Sequence, residues 1–186
     1  MEALQQRRTV REIKSEPLAP QVLSDLLWAA FGINRPENAH RTAPSAMNSQ
    51  EVDLYVALAE GLYVYEAGPH QLKLVEAADV RAKTSGQPFA TNAPLTLIMV
   101  ADLTRLEKAR PQTRLLYANF DAGCISQNIY LFCASAGLAT VVHDLDRTVL
   151  RPSMKLRPQQ EIIMAQAVGF PQPTNTAGPR PKAPGE

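Results

Sequence analysis

The chain has 186 residues, 45% of them hydrophobic, and its 19 Lys and Arg against 18 Asp and Glu give a formal net charge of +1. That size suits one compact domain with a real core and is too small for two comfortable ones. The near-neutral balance argues against a duplex nucleic-acid binder, and no apolar run approaches a membrane span. Met1 to Arg8 is polar and lacks the apolar stretch of a secretory leader. A cytoplasmic location is therefore expected, with an exported form left open should a leader precede Met1.

In chain order, Pro20 to Phe31 reads as a helix, because Val22, Leu23, Leu26, Leu27, Ala30 and Phe31 recur at three and four residues. Gly32 follows as a stop. Asn34 to Asn48, rich in Pro, Asn, Ser and Thr, reads as a long loop of the kind that often carries function. Asp53 to Ala59 is a strand. Leu62–Val64–Tyr65 and Leu72–Val75 flank a turn with Gly68–Pro69, a β-hairpin pattern. A short helix is expected around Ala78 to Ala82. The unbroken apolar run Leu95–Val100 has the length of a strand buried on both faces. Arg114 to Ala136 is the longest helical pattern, with Ala118, Ala122, Ile125, Ile129, Phe132, Cys133 and Ala136 on its buried side and Gly137 ending it. Its small residues Ala118, Ala122, Gly123 and Ser126 allow another backbone close. Leu138 to Val142 is a strand, Asp146 caps a short helix limited by Pro152, and Glu161 to Val168 is a last buried strand.

Cys124 and Cys133, nine residues apart in one apolar segment, form neither a CxxC pair nor a metal pattern. They read as small core residues, and with His40, His70 and His143 scattered no metal site is expected. The segment Gln172 to Glu186 reads as a Pro/Gly-rich tail, extended unless it wraps on a partner. Helices and strands alternate without a strict βαβ rhythm, which predicts an α+β fold. Neither GxGxxG nor GxxxxGK[ST] occurs, so no Rossmann or P-loop nucleotide site is indicated.

Three clusters are candidates for chemistry. Arg7–Arg8–Thr9–Val10–Arg11 combines guanidiniums and a hydroxyl that suit a phosphate; by itself it equally describes a solvated terminus. In the stretch Arg41 to Gln50, which contains Pro44, Ser45, Ala46 and Asn48, Ser45 and Asn48 offer small donors and acceptors for the edge of a heterocycle, or the stretch is a polar connecting loop. Asp121–Ala122–Gly123 with Ser126–Gln127–Asn128–Ile129–Tyr130, followed by Gly137–Leu138–Ala139–Thr140–Val141–Val142, is a core helix feeding a core strand, with or without a site at its end.

In order and spacing these clusters resemble the nitroreductase-like family of FMN enzymes. Arg7, Arg8, Thr9 and Arg11 match its Arg-Arg-Ser/Thr-x-Arg opening, and Pro44, Ser45, Ala46 and Asn48 its Pro-Ser-Ala-x-Asn loop. Ala122–Gly123, Gln127–Asn128 and Gly137–Leu138–Ala139–Thr140 match its helix-to-strand segment, and Gly169–Phe170–Pro171 its closing motif. The stretches Leu54–Tyr55–Val56, Gly61–Tyr65 and His70–Gln71–Leu72 further resemble the branch that holds the azoline dehydrogenases. That branch's Lys-Tyr pair is absent; Arg110–Pro111, Arg114 and Tyr117 stand in the region.

The resemblance implies a central mixed or antiparallel sheet flanked by helices, in an intertwined homodimer with a long interface helix. Residues 1–171 would form the FMN-binding domain. Arg7, Arg8, Thr9 and Arg11 would hold the phosphate, ribityl chain and one flavin edge. Pro44, Ser45, Ala46 and Asn48 would come from the other subunit, backbone groups near Val142, His143 and Asp144 would face the flavin, and Arg180 or Lys182 would complete the phosphate site. The implied activity is NAD(P)H-dependent reduction of a nitroaromatic, a quinone or a similar planar acceptor. The alternatives are a flavin dehydrogenase of a peptide or azoline substrate, and a flavin-binding module without turnover.

Overall fold

Leu95–Asp102 (β6) is the apolar run that organises the molecule: all eight of its residues are buried in the computed structural model, which describes residues 1–173. A strand buried on both faces needs a layer on each side, and the alternation of side chains divides β6 between two cores. Leu95, Leu97, Met99 and Ala101 face one core, and Ile98 and Val100 face the other.

The larger core lies under two helices, Pro20–Phe31 (α2) and Pro111–Ser135 (α5). Leu26, Leu27, Ala30 and Phe31 of α2 meet Ala118, Ala122, Ile125, Ile129 and Cys133 of α5 above the sheet. Both helices begin with proline at the first turn, where a missing N–H costs nothing. Gly32 ends α2 because a Cβ there would lie 2.6 Å from the Trp28 side chain. Gly137, at φ 68°, ends α5 in a left-handed cap, with the Leu138 N–H reaching back to the Cys133 carbonyl at 2.8 Å. At 25 residues α5 is about 37 Å long.

The sheet is antiparallel throughout. In addition to β6 it contains Val52–Leu58 (β3), Gly61–Glu66 (β4), Gln71–Glu76 (β5), Ala139–His143 (β7) and Gln160–Gly169 (β8), in the order β5-β4-β3-β6-β8-β7. The expected hairpin is β4–β5. The opposite face is covered by Arg147–Met154 (α6), whose Leu150 and Met154 pack with Tyr55, Ile98, Val100 and Ile162. Asp146 caps α6 by accepting the Thr148 and Val149 N–H groups, as its position suggests, and Pro152 is accommodated inside it.

Some local expectations change. The stretch 34–48 is not all loop: Ile33–Arg35 (β1) pairs with His40–Arg41 (β2), and Pro36–Asn38 and Ala46–Asn48 are single 3₁₀ turns. The short helix placed at 78–82 is Arg81–Thr84 (α3), with Pro88–Asn92 (α4) after it. The polar Glu2–Gln6 forms one helical turn and a half (α1), lying against α5. Cys133 is buried, whereas Cys124 is only half-buried; both are free thiols.

The N-terminal strand-like arm is sewn to the end of the sheet by main-chain bonds. Val10 N–H donates to the Thr140 carbonyl (3.0 Å), Lys14 N–H to Phe170 (2.8 Å), and Gln172 N–H to Glu12 (2.8 Å). Ile13 bridges Pro171, and Gly169 is required where the arm crosses, since a Cβ there would lie 2.6 Å from Ile13 and from Pro94. Arg180, Lys182 and the rest of the expected tail beyond residue 173 lie outside the described residues.

Candidate functional site

The arm carries Arg7, Arg8, Thr9 and Arg11 to the C-terminal end of α5. There a cleft of about 710 Å³ is lined by Arg8, Thr9, Val10, Tyr130, Cys133, Gly137, Leu138, Thr140 and Pro171. The Arg7 guanidinium stands 5.3 Å from the centroid of the Tyr130 ring, a cation–π distance. Thr9 Oγ1 lies 3.1 Å from the Tyr130 hydroxyl, which also accepts the Val142 N–H at 3.1 Å. Arg8 Nε donates to the Gln6 carbonyl at 3.2 Å. Among the described residues, none of Arg7, Arg8 and Arg11 has a carboxylate within salt-bridge distance. Three guanidiniums in five positions, with Arg8 and Glu12 both in the cleft lining, make the arm locally basic where an anion could bind.

Tyr130 belongs to the third sequence cluster, but nothing local marks its hydroxyl as the link between arm and strand. Behind it the cleft is held by a buried polar chain. Ser126 Oγ donates to Gln166 Oε1 (2.9 Å), Gln166 Nε2 to Thr140 Oγ1 (3.0 Å), and Thr140 Oγ1 to the Ala167 carbonyl (2.9 Å). Every member is satisfied, so the chain locks α5, β8 and β7 in one register.

Two buried groups, Cys133 in the cleft wall and His143 at the end of β7, are chemically quiet. Burial pushes the Cys133 thiol up to about 12, which removes it as a nucleophile at neutral pH. His143 is also buried, and burial lowers its pKa, so the ring is neutral. Its Nδ1 donates to the Asp144 carbonyl at 3.0 Å and its ring packs edge-on against Phe89, leaving Nε2 as a buried lone pair without a partner among the described residues. Val142 has its N–H committed to Tyr130, so it presents no free donor there.

The second expected cluster, Pro44, Ser45, Ala46 and Asn48, is not brought to this cleft within one chain. The Ala46 N–H donates to Asp121 Oδ2 at 2.7 Å, and Ser45 Oγ accepts the Gln50 N–H at 2.9 Å. Asp121 and Tyr130 are nine residues apart on α5, which is about 13 Å along the axis. Met47, Asn48 and Gln50 sit at φ 54°, 53° and 46°, the left-handed region. The solvent side of α5 exposes Leu115, Leu116 and Phe120, the last at 59%. A 25-residue helix with apolar residues on both sides has one face without a partner in the single chain.

Among the described residues, no group of three or more His, Cys, Asp and Glu is placed to hold a metal, and no helix is long and apolar enough to cross a membrane.

An antiparallel α+β sandwich with a basic arm laid across the end of its longest helix defines a class of redox-enzyme scaffold, and sequence and structure comparisons agree on which. The family model described as "Nitroreductase family" matches residues 4–170. A Methanocaldococcus jannaschii protein classed with the nitroreductases is 31% identical over 150 residues, covering 75% of each chain. A crystal structure of a Ralstonia eutropha protein of the same class is 42% identical, with a TM-score of 0.88 over 92% of this chain and 82% of that one. A Desulfovibrio desulfuricans protein of this class, solved in complex with FMN, shares the fold at 20% identity and a TM-score of 0.65, over 97% of this chain and 90% of that one. The chain belongs to the nitroreductase family and is an oxidoreductase of that fold.

Proposed function

We propose that this chain binds FMN at the arginine arm and works as a homodimeric NAD(P)H oxidoreductase on small planar acceptors such as nitroaromatics or quinones. The observation that carries the reading is the arginine arm, unpaired by any carboxylate within salt-bridge reach among the described residues, with Arg8 lining a cleft large enough for a cofactor and Arg7 over the Tyr130 ring in its wall. The residues present fit the group. The guanidiniums and the Thr9 hydroxyl suit a phosphate and a ribityl chain, and Val10, Leu138 and Pro171 offer apolar surface for a flat ring. When bound, FMN supplies the two-electron redox chemistry, between a reduced nicotinamide and the acceptor that replaces it. The protein's part is to grip the phosphate, orient the ring and place positive charge near it; Arg11 is assigned to the pyrimidine end. No protein nucleophile is required.

The homodimer completes the site in this reading. The exposed Leu115, Leu116 and Phe120 pack against a second copy, and the partner's loop brings Pro44, Ser45, Ala46 and Asn48 over the cleft that one chain leaves half-walled. Arg180 is assigned to the phosphate as well.

Purified protein should be yellow, with flavin absorbance released on denaturation, and NADH or NADPH should bleach it in stopped flow. A colourless protein that ignores added FMN overturns the assignment. Flavin that is bleached by an azoline-type substrate and not by nicotinamides moves the chain to the dehydrogenase branch. Bound flavin that no reductant bleaches makes it a binding module.

A further inference from the structure

Glu51 joins the Pro44–Gln50 loop to β3, and its side chain is completely buried. Neither of its carboxyl oxygens has a well-formed hydrogen bond from another residue among the described residues. A buried, unpaired carboxylate is among the least favourable groups a fold can hold. Its side-chain neighbour is Asp121 of α5, itself only 7% exposed, which is the acceptor for the Ala46 N–H. Two ionised carboxylates side by side repel, whereas one proton between them converts the repulsion into an O–H···O bond.

The other charges facing this point are already engaged. Arg105 donates to both Asp53 carboxylate oxygens, at 2.8 and 3.0 Å, and to the Gln50 carbonyl. Arg41 donates to Gln50 Oε1 and the Phe31 carbonyl. Asp102, whose N–H donates to the Glu51 carbonyl, has its carboxylate on Arg157 and Arg105. Burial pushes the Glu51 carboxyl up to about 7; Asp121 adds to the rise, and a backbone N–H and Arg105 oppose it.

We propose that Glu51 and Asp121 share one proton and act as a positioning pair for the loop that carries Pro44, Ser45, Ala46 and Asn48. The assignment of that loop to the flavin rests on the function proposed above. Protonated Glu51 donates to Asp121, and Asp121 holds the Ala46 N–H. The loop needs such a hold, because Met47, Asn48 and Gln50 stand in the left-handed region against their own backbone preference. Loss of the proton sets two carboxylates against each other beneath the loop and frees Ala46. Between the ordinary carboxyl value of 4.5 and about 7 the docked form is then disfavoured by about a factor of ten per pH unit, and above that the loss levels off.

The test uses Glu51→Gln, whose amide donates to Asp121 with no proton to lose, and Asp121→Asn, whose amide serves Glu51 in the same way. In FMN-free protein, the Ala46 amide resonance should titrate with a midpoint near 7 in the wild type and stay flat in both variants. The ratio of wild-type to Glu51→Gln affinity for FMN should fall about tenfold between pH 6 and pH 8; taking the ratio cancels titration of the flavin phosphate itself. An Ala46 resonance that does not titrate in the wild type, or parallel affinity profiles for wild type and variants, overturns the pair. Protein that binds no FMN at any pH while Ala46 still titrates overturns the flavin assignment and leaves the pair standing.

Discussion

The two halves of the candidate site are built on opposite principles. The arginine arm is held by neutral main-chain bonds from Val10, Lys14 and Gln172, over a polar chain in which every donor has an acceptor. The 44–50 loop stands at left-handed backbone angles over a single carboxylate cap, Asp121, with the buried Glu51 beside it. In the function proposed above the first arrangement is the phosphate grip, and in the proposed proton-sharing pair the second is a wall whose docking depends on one proton. On that reading affinity is set by the arm and closure by the loop.

The contrast is broken most severely at the arm. Arg7→Ala with Arg8→Ala removes two charge-assisted contacts, worth about 1.5–3 kcal/mol each, so FMN affinity measured by fluorescence should fall at least a hundredfold, equally at pH 6 and pH 8. Full affinity in a folded double variant would mean the phosphate lies elsewhere.

Phe120→Glu places a charge on the exposed face of α5. If the proposed homodimer uses this face, sedimentation should show a monomeric variant beside a dimeric wild type, with FMN binding weakened in step. A dimeric Phe120→Glu protein with normal affinity removes that face from the interface.

The loop half is sharpened by stability measurements. Glu51 holds its proton in the native state up to about pH 7, whereas the unfolded chain releases it near 4.5. Between those values the native state binds more protons, so stability falls as pH rises, by up to about 3 kcal/mol in all. Urea midpoints of Glu51→Gln should lose that slope; a slope identical to the wild type's would assign it to other groups.

Tyr130→Phe gives the smallest effect. It keeps the ring beneath Arg7 and removes the hydroxyl that links Thr9 to Val142. At about 1 kcal/mol per hydrogen bond, FMN should bind roughly five- to thirtyfold more weakly. An unchanged affinity would show that the arm needs only its main-chain bonds.

Much of this was legible in the chain itself. The unbroken Leu95–Val100 run announced a strand buried on both faces, and the 3.6-residue periods of α2 and the small residues of α5 announced the helices above it. These are local patterns, set by side-chain spacing over a few turns. The 34–48 stretch was not legible as β1, β2 and two turns, because two- and three-residue elements carry no period; their pairing depends on which carbonyls remain free nearby. The displaced α3 has the same cause. In the site, Arg7, Arg8 and Thr9 could be picked out by the order of the motifs. The role of the Tyr130 hydroxyl could not, since it comes from meeting a residue 121 positions away.

The sequence alone therefore determined the α+β architecture and the order of the elements, because periodicity and capping are written in neighbouring positions; the residues offered for a phosphate came from the order of the motifs together. Only the tertiary structure decided that the sheet is wholly antiparallel, that the arginine arm and the 44–50 loop lie apart along α5, and that Glu51 is sealed beside Asp121. Each of those depends on contacts between residues far apart in the chain. Burial, which turns an ordinary glutamate into a group that keeps its proton to about pH 7, exists only once those contacts have formed.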